Sequence, residues 1–373
     1  MIHEGTFAVV AGGGTSGHVL PALAVADALV AAGHRPETIR YMGAERGIET
    51  RMLPETPYEA TFLDVVGLQR SMSRRNLGFV PKMAKSTRVA VRIFRNDRPK
   101  VVVSVGGYAS MPAVFAARRL GIPVVVVSYD RTPGRASRLS ARSAAACAVA
   151  FDNSPLPRAT LTGAPVRQVI LDVDRSASSR ASARRRLEIP DDRFLIAVMG
   201  GSLGSGVLNR AVADYVRAHA SDSRLAVRQI VGERFADDVE RIDSEGSGVL
   251  HQVIPYDSDM AAVYAACDLL IGRGGASTVH EVAVTGTPAI LVPWAGSTDN
   301  HQVDNVRWLS EVGGAVLLTE EHLGDLASEI ERLRESSGDR SDLGSAAAER
   351  GMVHRSGALA GLIERVAVAS DPS

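Results

Sequence analysis

Residues 6–18 read TFAVVAGGGTSGH, and residues 22–34 continue as ALAVADALVAAGH. The first six residues form a short apolar run with β-branched members, the signature of a buried strand. Gly12, Gly13 and Gly14 then break it, and an alanine- and leucine-rich helix follows, ending near Gly33. A strand, a glycine turn and a helix in that order make one half of a βαβ unit. The same grammar recurs: KVVVSVGG (100–107) and IPVVVVSYD (122–130) are strands, with the helix SMPAVFAARRLG between them. Apolar strands alternating with helices predict a parallel sheet covered on both faces.

The pattern restarts further on. RFLIAVMGG, LAVRQIVG, GVLHQVIPY, DLLIGRG and TPAILVPW read as strands, separated by helices such as SLGSGVLNRAVADYVRAHA and ASTVHEVAVTG. We therefore expect an α/β chain of two Rossmann-like domains, 1–164 and 165–342. A charged helix within 172–193 leads into the second. A C-terminal helix near 343–369 is expected to pack back on the first.

With 373 residues and 45% apolar content, the chain can build two ordinary cores. Two cysteines exclude a disulfide framework, and Cys147 and Cys267 sit in apolar runs as small core residues. The N-terminus lacks the basic and long apolar regions of a signal peptide, and no run approaches ~20 apolar residues. A cytoplasmic protein is expected. Formal net charge is zero, yet 1–164 carries 21 Arg/Lys against 11 Asp/Glu, and 165–373 carries 21 against 31. The basic half suits an anionic partner such as a membrane surface or phosphates, or is an accident of composition. Nine Arg/Lys and one Asp fall within 67–98, interspersed with Leu68, Met72, Leu77, Phe79, Val80 and Met83. Such a patch suits an anionic lipid surface or a solvated helix face; no nucleic-acid motif accompanies it.

Chemistry concentrates where the strands end. Gly13 and Gly14, with Thr15, Ser16 and Gly17, let a backbone approach a ligand closely, and the next helix presents N–H groups. The spacing is not the dinucleotide fingerprint. His18 opens that helix, where a neutral imidazole can take a hydroxyl proton or simply pack the turn. Gly106, Gly107 and Tyr108 form a second turn at the same sheet edge. Gly200, Gly201 and Ser202 form the equivalent turn of the second half. Ala276, Ser277, Thr278, Val279, His280 and Glu281 open a helix whose N-terminus suits a diphosphate, and Glu281 can accept ribose hydroxyls. His301, Gln302 and Asn305 follow the last strand. The pairs Asp172/Asp174 and Asp257/Asp259 have metal-ligand spacing but read better as a linker and a helix cap.

GGGTSGH, GGYAS, GGSLGS followed by LN, and GGASTVHEVAVTGTPAILVPW with HQVDN occur in this order. Over about 8–320 the chain resembles the MurG glycosyltransferases. That resemblance implies the GT-B fold, two Rossmann-like domains facing each other across a cleft. It implies inverting transfer of N-acetylglucosamine from UDP-GlcNAc to the muramoyl C4 hydroxyl of undecaprenyl-linked lipid I. It places Thr15, Ser16 and Gly17 near the sugar and acceptor and Asp130 among the donor-binding residues, with Gly13, Gly14, Gly106, Gly107 and Tyr108 on the acceptor side. It places Arg167, Ser202 and 276–281 on the UDP, and His301, Gln302 and Asn305 by the donor sugar. It makes His18 the candidate base and implies no cofactor and no metal. It implies a UDP-sugar donor, a lipid-linked or other glycoside acceptor, and attachment to the cytoplasmic face of the membrane through 67–98. The chain departs from the family at Val127-Ser128-Tyr129-Asp130, where His-Glu-Gln-Asn is usual, and at Ser16, Leu203, Asp257 and His301. A glycosyltransferase of secondary metabolism, a UDP-GlcNAc 2-epimerase and an inactive nucleotide-sugar-binding scaffold remain the alternatives.

Overall fold

The computed structural model describes residues 5–65, 79–201, 204–242, 248–297 and 301–369. Contacts divide the chain into two units, residues 1–168 with 356–373, and residues 169–355.

The first unit holds a seven-stranded parallel sheet. Its strands are β1 (Ala8–Ala11), β2 (Ile39–Ala44), β3 (Glu59–Leu63), β4 (Val101–Ser104), β5 (Val124–Ser128), β6 (Ala146–Val149) and β7 (Ala159–Leu161), in the order β3-β2-β1-β4-β5-β6-β7. Every residue of β1, β4, β5 and β6 is buried, as strands covered on both faces require. The helices are α1 (Ser16–Ala31), α2 (Glu49–Met52), α3 (Phe79–Asn96), α4 (Met111–Leu120) and α5 (Arg135–Ala141). Because β1 pairs with both β2 and β4, the direction of winding reverses beside it. In open α/β sheets the carboxyl edge at such a point is where ligands bind.

The short α6 (Gln168–Leu171) spans the boundary, four residues beyond the expected division. The second unit has β8 (Phe194–Met199), β9 (Leu225–Ile230), β10 (Leu250–Ile254), β11 (Leu269–Arg273), β12 (Ala289–Val292) and β13 (Val316–Leu317). Their order is β10-β9-β8-β11-β12-β13, again parallel. Its helices are α7 (Ala177–Arg186), α8 (Gly206–Ala218), α9 (Met260–Ala266), α10 (Ala276–Thr285), α11 (His301–Ser310), α12 (Leu326–Glu335) and α13 (Ser337–Gly351). Here β8 pairs with β9 and β11, so the switch lies between the Gly200 and Gly274 turns.

Two helices differ from expectation. α1 begins at Ser16, before Pro21, rather than after it. The single helix expected over 343–369 is two. α13 ends at Gly351 and packs on α10, whereas α14 (Ala358–Val368) packs on α1, β4, β5 and β6 of the first unit. Gly357, with φ +70°, makes the break.

Candidate active site

At the carboxyl edge of the first sheet, loops after β1, β4 and β5 meet around one imidazole. Thr15 caps α1 through its carbonyl, which accepts from the His18 and Val19 N–H groups. His18 is thereby fixed on the first turn. A Cβ on Gly107 would lie 3.0 Å from His18 Cδ2 and 3.1 Å from the Gly13 carbonyl oxygen, and φ there is +71°. Only glycine fits this approach. A Cβ on Gly106 would lie 3.6 Å from His18 Cε1. From β5, the Tyr129 phenol oxygen lies 2.7 Å from His18 Nδ1 and donates to the Gly17 carbonyl. Burial pushes the His18 pKa below its ordinary value, against the opposing charges of Asp130 and Glu49. The ring is therefore neutral near pH 7, the state a general base needs. Tyr108 packs its ring edge-on against Phe79 at 5.7 Å.

The glycine loop itself is organised differently from expectation. Its Gly14 N–H does not wait for an external anion. The fully buried Glu49 of α2 accepts from the Gly14 N–H at 3.0 and 3.1 Å and from the Ala44 N–H at 2.8 Å. A carboxylate in the protein interior is tolerated only when hydrogen-bonded in this way. Sequence reasoning missed Glu49. Its signal is the glycine spacing of GAERGIE: a Cβ on Gly13 or Gly47 would lie 2.1 or 1.8 Å from a Glu49 carboxylate oxygen.

Arg167 belongs to this first unit, with its charge facing Asp27 of α1. The Asp27 carboxyl, pushed upward by burial, is drawn downward by the Tyr58 hydroxyl and by Arg167.

In the second unit the turn after β11 is tightly braced. A Cβ on Gly274 would lie 2.7 Å from Val306 Cγ2 and 2.8 Å from the Gln302 carbonyl oxygen. Asn305 is fully buried and its amide donates to the Gly274 carbonyl at 3.4 Å; Gln302 Oε1 accepts from the Trp294 N–H at 2.9 Å. These two support the loop. His301 is half-buried at the start of α11. Arg273 is buried and donates to Ser205 Oγ at 2.5 Å, with an ion pair to Glu320 at 2.6 Å. It thus ties the two turns at the switch point together. From Gly275 the N–H groups of the first turn of α10 begin, with Ser277 half-buried and Ala276 and Thr278 buried. Glu281 accepts from the Tyr264 hydroxyl at 2.8 Å. Val279 and His280 need correction as ligand contacts. Both turn inward, and His280 Nδ1 lies 3.1 Å from His354 Nε2 and beside the Trp308 ring.

Three of the four D-x-D carboxylates make structural contacts. Ser176 caps α7 while Asp174 accepts from the Ser176 N–H and the Ser179 hydroxyl, and Asp259 caps α9 by accepting from the Ala262 N–H. Asp257 is buried against Arg228 Nε at 2.7 Å and accepts from the Asp259 N–H. Ser202 and Leu203 lie outside the described residues, as does the 67–78 part of the basic stretch. The side chain of Ser16 is likewise not described. Within the remainder of that stretch, α3 and α4 border a groove of ≈ 710 Å³. Phe79, Val80, Met83 and Phe115 line it beside Arg88, Arg92, Arg95 and Arg119. Among the described residues no helix is long and apolar enough to cross a membrane.

Two parallel-sheet units with glycine turns at both switch points fit the GT-B fold, and the family comparisons make the chain a glycosyltransferase. Residues 8–149 match the glycosyltransferase family 28 N-terminal domain, and residues 195–354 match its C-terminal domain. The chain is 36% identical over 326 residues to a protein of Desulforudis audaxviator, covering 84% of this chain and 86% of that one. It is 33% identical to a protein of Shewanella loihica, covering 96% and 94%. Both are named UDP-N-acetylglucosamine–N-acetylmuramyl-(pentapeptide) pyrophosphoryl-undecaprenol N-acetylglucosamine transferase. The crystal structure of Acinetobacter baumannii MurG superposes with a TM-score of 0.69 at 25% identity, covering 97% of this chain and 99% of that one. The chain belongs to the MurG family. A UDP-GlcNAc 2-epimerase from Neisseria meningitidis shares the fold, with a TM-score of 0.67 at 13% identity over 98% and 99% of the two chains.

Proposed function

We propose that this protein transfers N-acetylglucosamine from UDP-GlcNAc to the C4 hydroxyl of the muramoyl sugar of lipid I, giving lipid II for peptidoglycan synthesis. The observation that carries this reading is the match over 84–96% of the chain to relatives named for that reaction, together with a neutral histidine held by three converging loops. The acceptor hydroxyl gives its proton to His18 as its oxygen bonds to the anomeric carbon. The bond from that carbon to the phosphate oxygen breaks, and its electron pair leaves with UDP. One displacement inverts the anomeric centre. The N–H groups opening α10 neutralise the leaving diphosphate in place of a metal ion, and Glu281, oriented by Tyr264, binds the ribose. Thr15 and Asp130 flank the donor sugar.

The groove along α3 combines apolar side chains with four arginines, which suits the anionic cytoplasmic face of the membrane where a lipid-linked acceptor resides. The enzyme on this reading is cytoplasmic and peripherally bound. A UDP-release assay in metal chelator tests the proposal: release from UDP-GlcNAc only when a lipid I analogue is added supports it. Binding of UDP-GlcNAc without release points instead to a divergent glycosyltransferase, the epimerase or an inactive scaffold.

A further inference from the structure

Tyr129 lies one residue beyond β5 and is only 6% exposed, yet none of the glycine motifs includes it. Its hydroxyl donates to the Gly17 carbonyl. That carbonyl is available for a reason in α1: Pro21, four residues later, has no N–H to give it. The same phenol oxygen lies 2.7 Å from His18 Nδ1. A phenol has one proton. With that proton directed at Gly17, the oxygen enters its second bond as an acceptor, so Nδ1 is the donor. The imidazole then carries its proton on Nδ1, and Nε2 holds the basic lone pair.

We propose that Tyr129 is a positioning residue that locks His18 in the Nδ1–H tautomer, making Nε2 the nitrogen that receives the acceptor proton. This rests on the reading of His18 as the base. The third-group logic is general for a histidine base, whose tautomer is set by the bond at its other nitrogen. Here a neutral phenol takes that part, relayed by a backbone carbonyl that a proline leaves unclaimed. When Nε2 accepts the hydroxyl proton, the imidazolium keeps its Nδ1–H bond to Tyr129. The remaining carboxylates that act on this ring, Asp130 and Glu49, favour that cation through their charge.

The test is ¹⁵N spectroscopy of the full-length, histidine-labelled protein at neutral pH, with the His18 signals assigned by their loss in His18→Gln. The expected spectrum shows a protonated Nδ1 and an unprotonated Nε2. Tyr129→Phe should populate the Nε2–H form and lower kcat by about tenfold or more, with the UDP-GlcNAc KM within about twofold. Pro21→Ala leaves both His18 and Tyr129 in place and gives Gly17 a backbone donor. It should release the phenol proton toward Nδ1 and shift the tautomer the same way. A wild-type ring protonated on Nε2 would overturn the proposal, as would unchanged tautomer and kcat in both variants. Failure of the underlying base reading is separate: His18→Ala would then retain turnover, whatever tautomer the spectra show.

Discussion

The Glu49 carboxylate receives the Gly14 N–H between its two oxygens, at 3.0 and 3.1 Å, and Gly13 leaves room for it. The glycine turn of the first unit is therefore filled from within by an acid of the same chain. Glu49→Gln puts an amide NH₂ against an N–H donor and should cost about 1–3 kcal/mol. Gly13→Ala should cost more, since its Cβ meets the carboxylate and φ is +149°. Chemical denaturation monitored by circular dichroism checks both, and stability equal to wild type in Gly13→Ala would contradict this packing.

Removal of the base should act on rate more than on binding. His18→Ala should lower kcat by about 10²–10⁴-fold with UDP affinity nearly unchanged. Because burial holds the imidazole pKa below its usual value, the acid limb of kcat/KM should fall below pH ~6.5. Steady-state kinetics from pH 5 to 9 measures this; a limb well above ~6.5 would assign it to another group.

Stability should fall on the acid side. Burial lowers His251 to about 4, aided by Arg241, and lowers His354 to about 2, aided by His280, Arg350 and Arg355. Both folded values lie below the unfolded one, so the unfolded chain binds more protons as pH drops below ~6.5. Stability is full above that pH and is lost by about 1.4 kcal/mol per histidine per pH unit below it. Urea midpoints at pH 7.5 and 5.5 should differ accordingly, and equal midpoints would contradict the burial of these rings.

Glu281 and Tyr264 should report on the donor. Glu281→Ala should raise the UDP-GlcNAc KM about tenfold or more, and Tyr264→Phe should raise it less, since it removes only the hydroxyl that orients the carboxylate. Isothermal titration with UDP checks the order of these effects.

The groove on α3 should bind anionic vesicles. Replacing Arg88, Arg92 and Arg95 by Gln should weaken cosedimentation with phosphatidylglycerol vesicles by about 1 kcal/mol per charge, without changing kcat on a soluble acceptor. Undiminished binding would remove this surface from the account.

Much of this architecture is legible in the sequence because buried parallel strands are unbroken apolar runs: AVVA, VVVS and VVVVS each became a strand. β7, exposed at all three positions, and the half-buried β3 carry no such run and escaped notice. Pro21 looks like a stop, yet α1 runs through it because Tyr129 satisfies the carbonyl that the proline leaves. In the site, His18 follows directly from its glycine loop. Glu49 and Tyr129 do not, because their partners lie 35 and 111 residues away and only the folded sheet edge brings them together. His280 sits inside the GGASTVHEVAVTG motif, but helical phase turns it toward His354.

The most direct measurement is the structure of the product. Incubated with UDP-[¹³C]GlcNAc and a lipid I analogue, the enzyme should form a disaccharide in which the labelled anomeric carbon, now of inverted configuration, is joined to the muramoyl O4, as read by NMR. A retained configuration, a different linkage, or turnover of UDP-GlcNAc with no label on the acceptor would contradict the account.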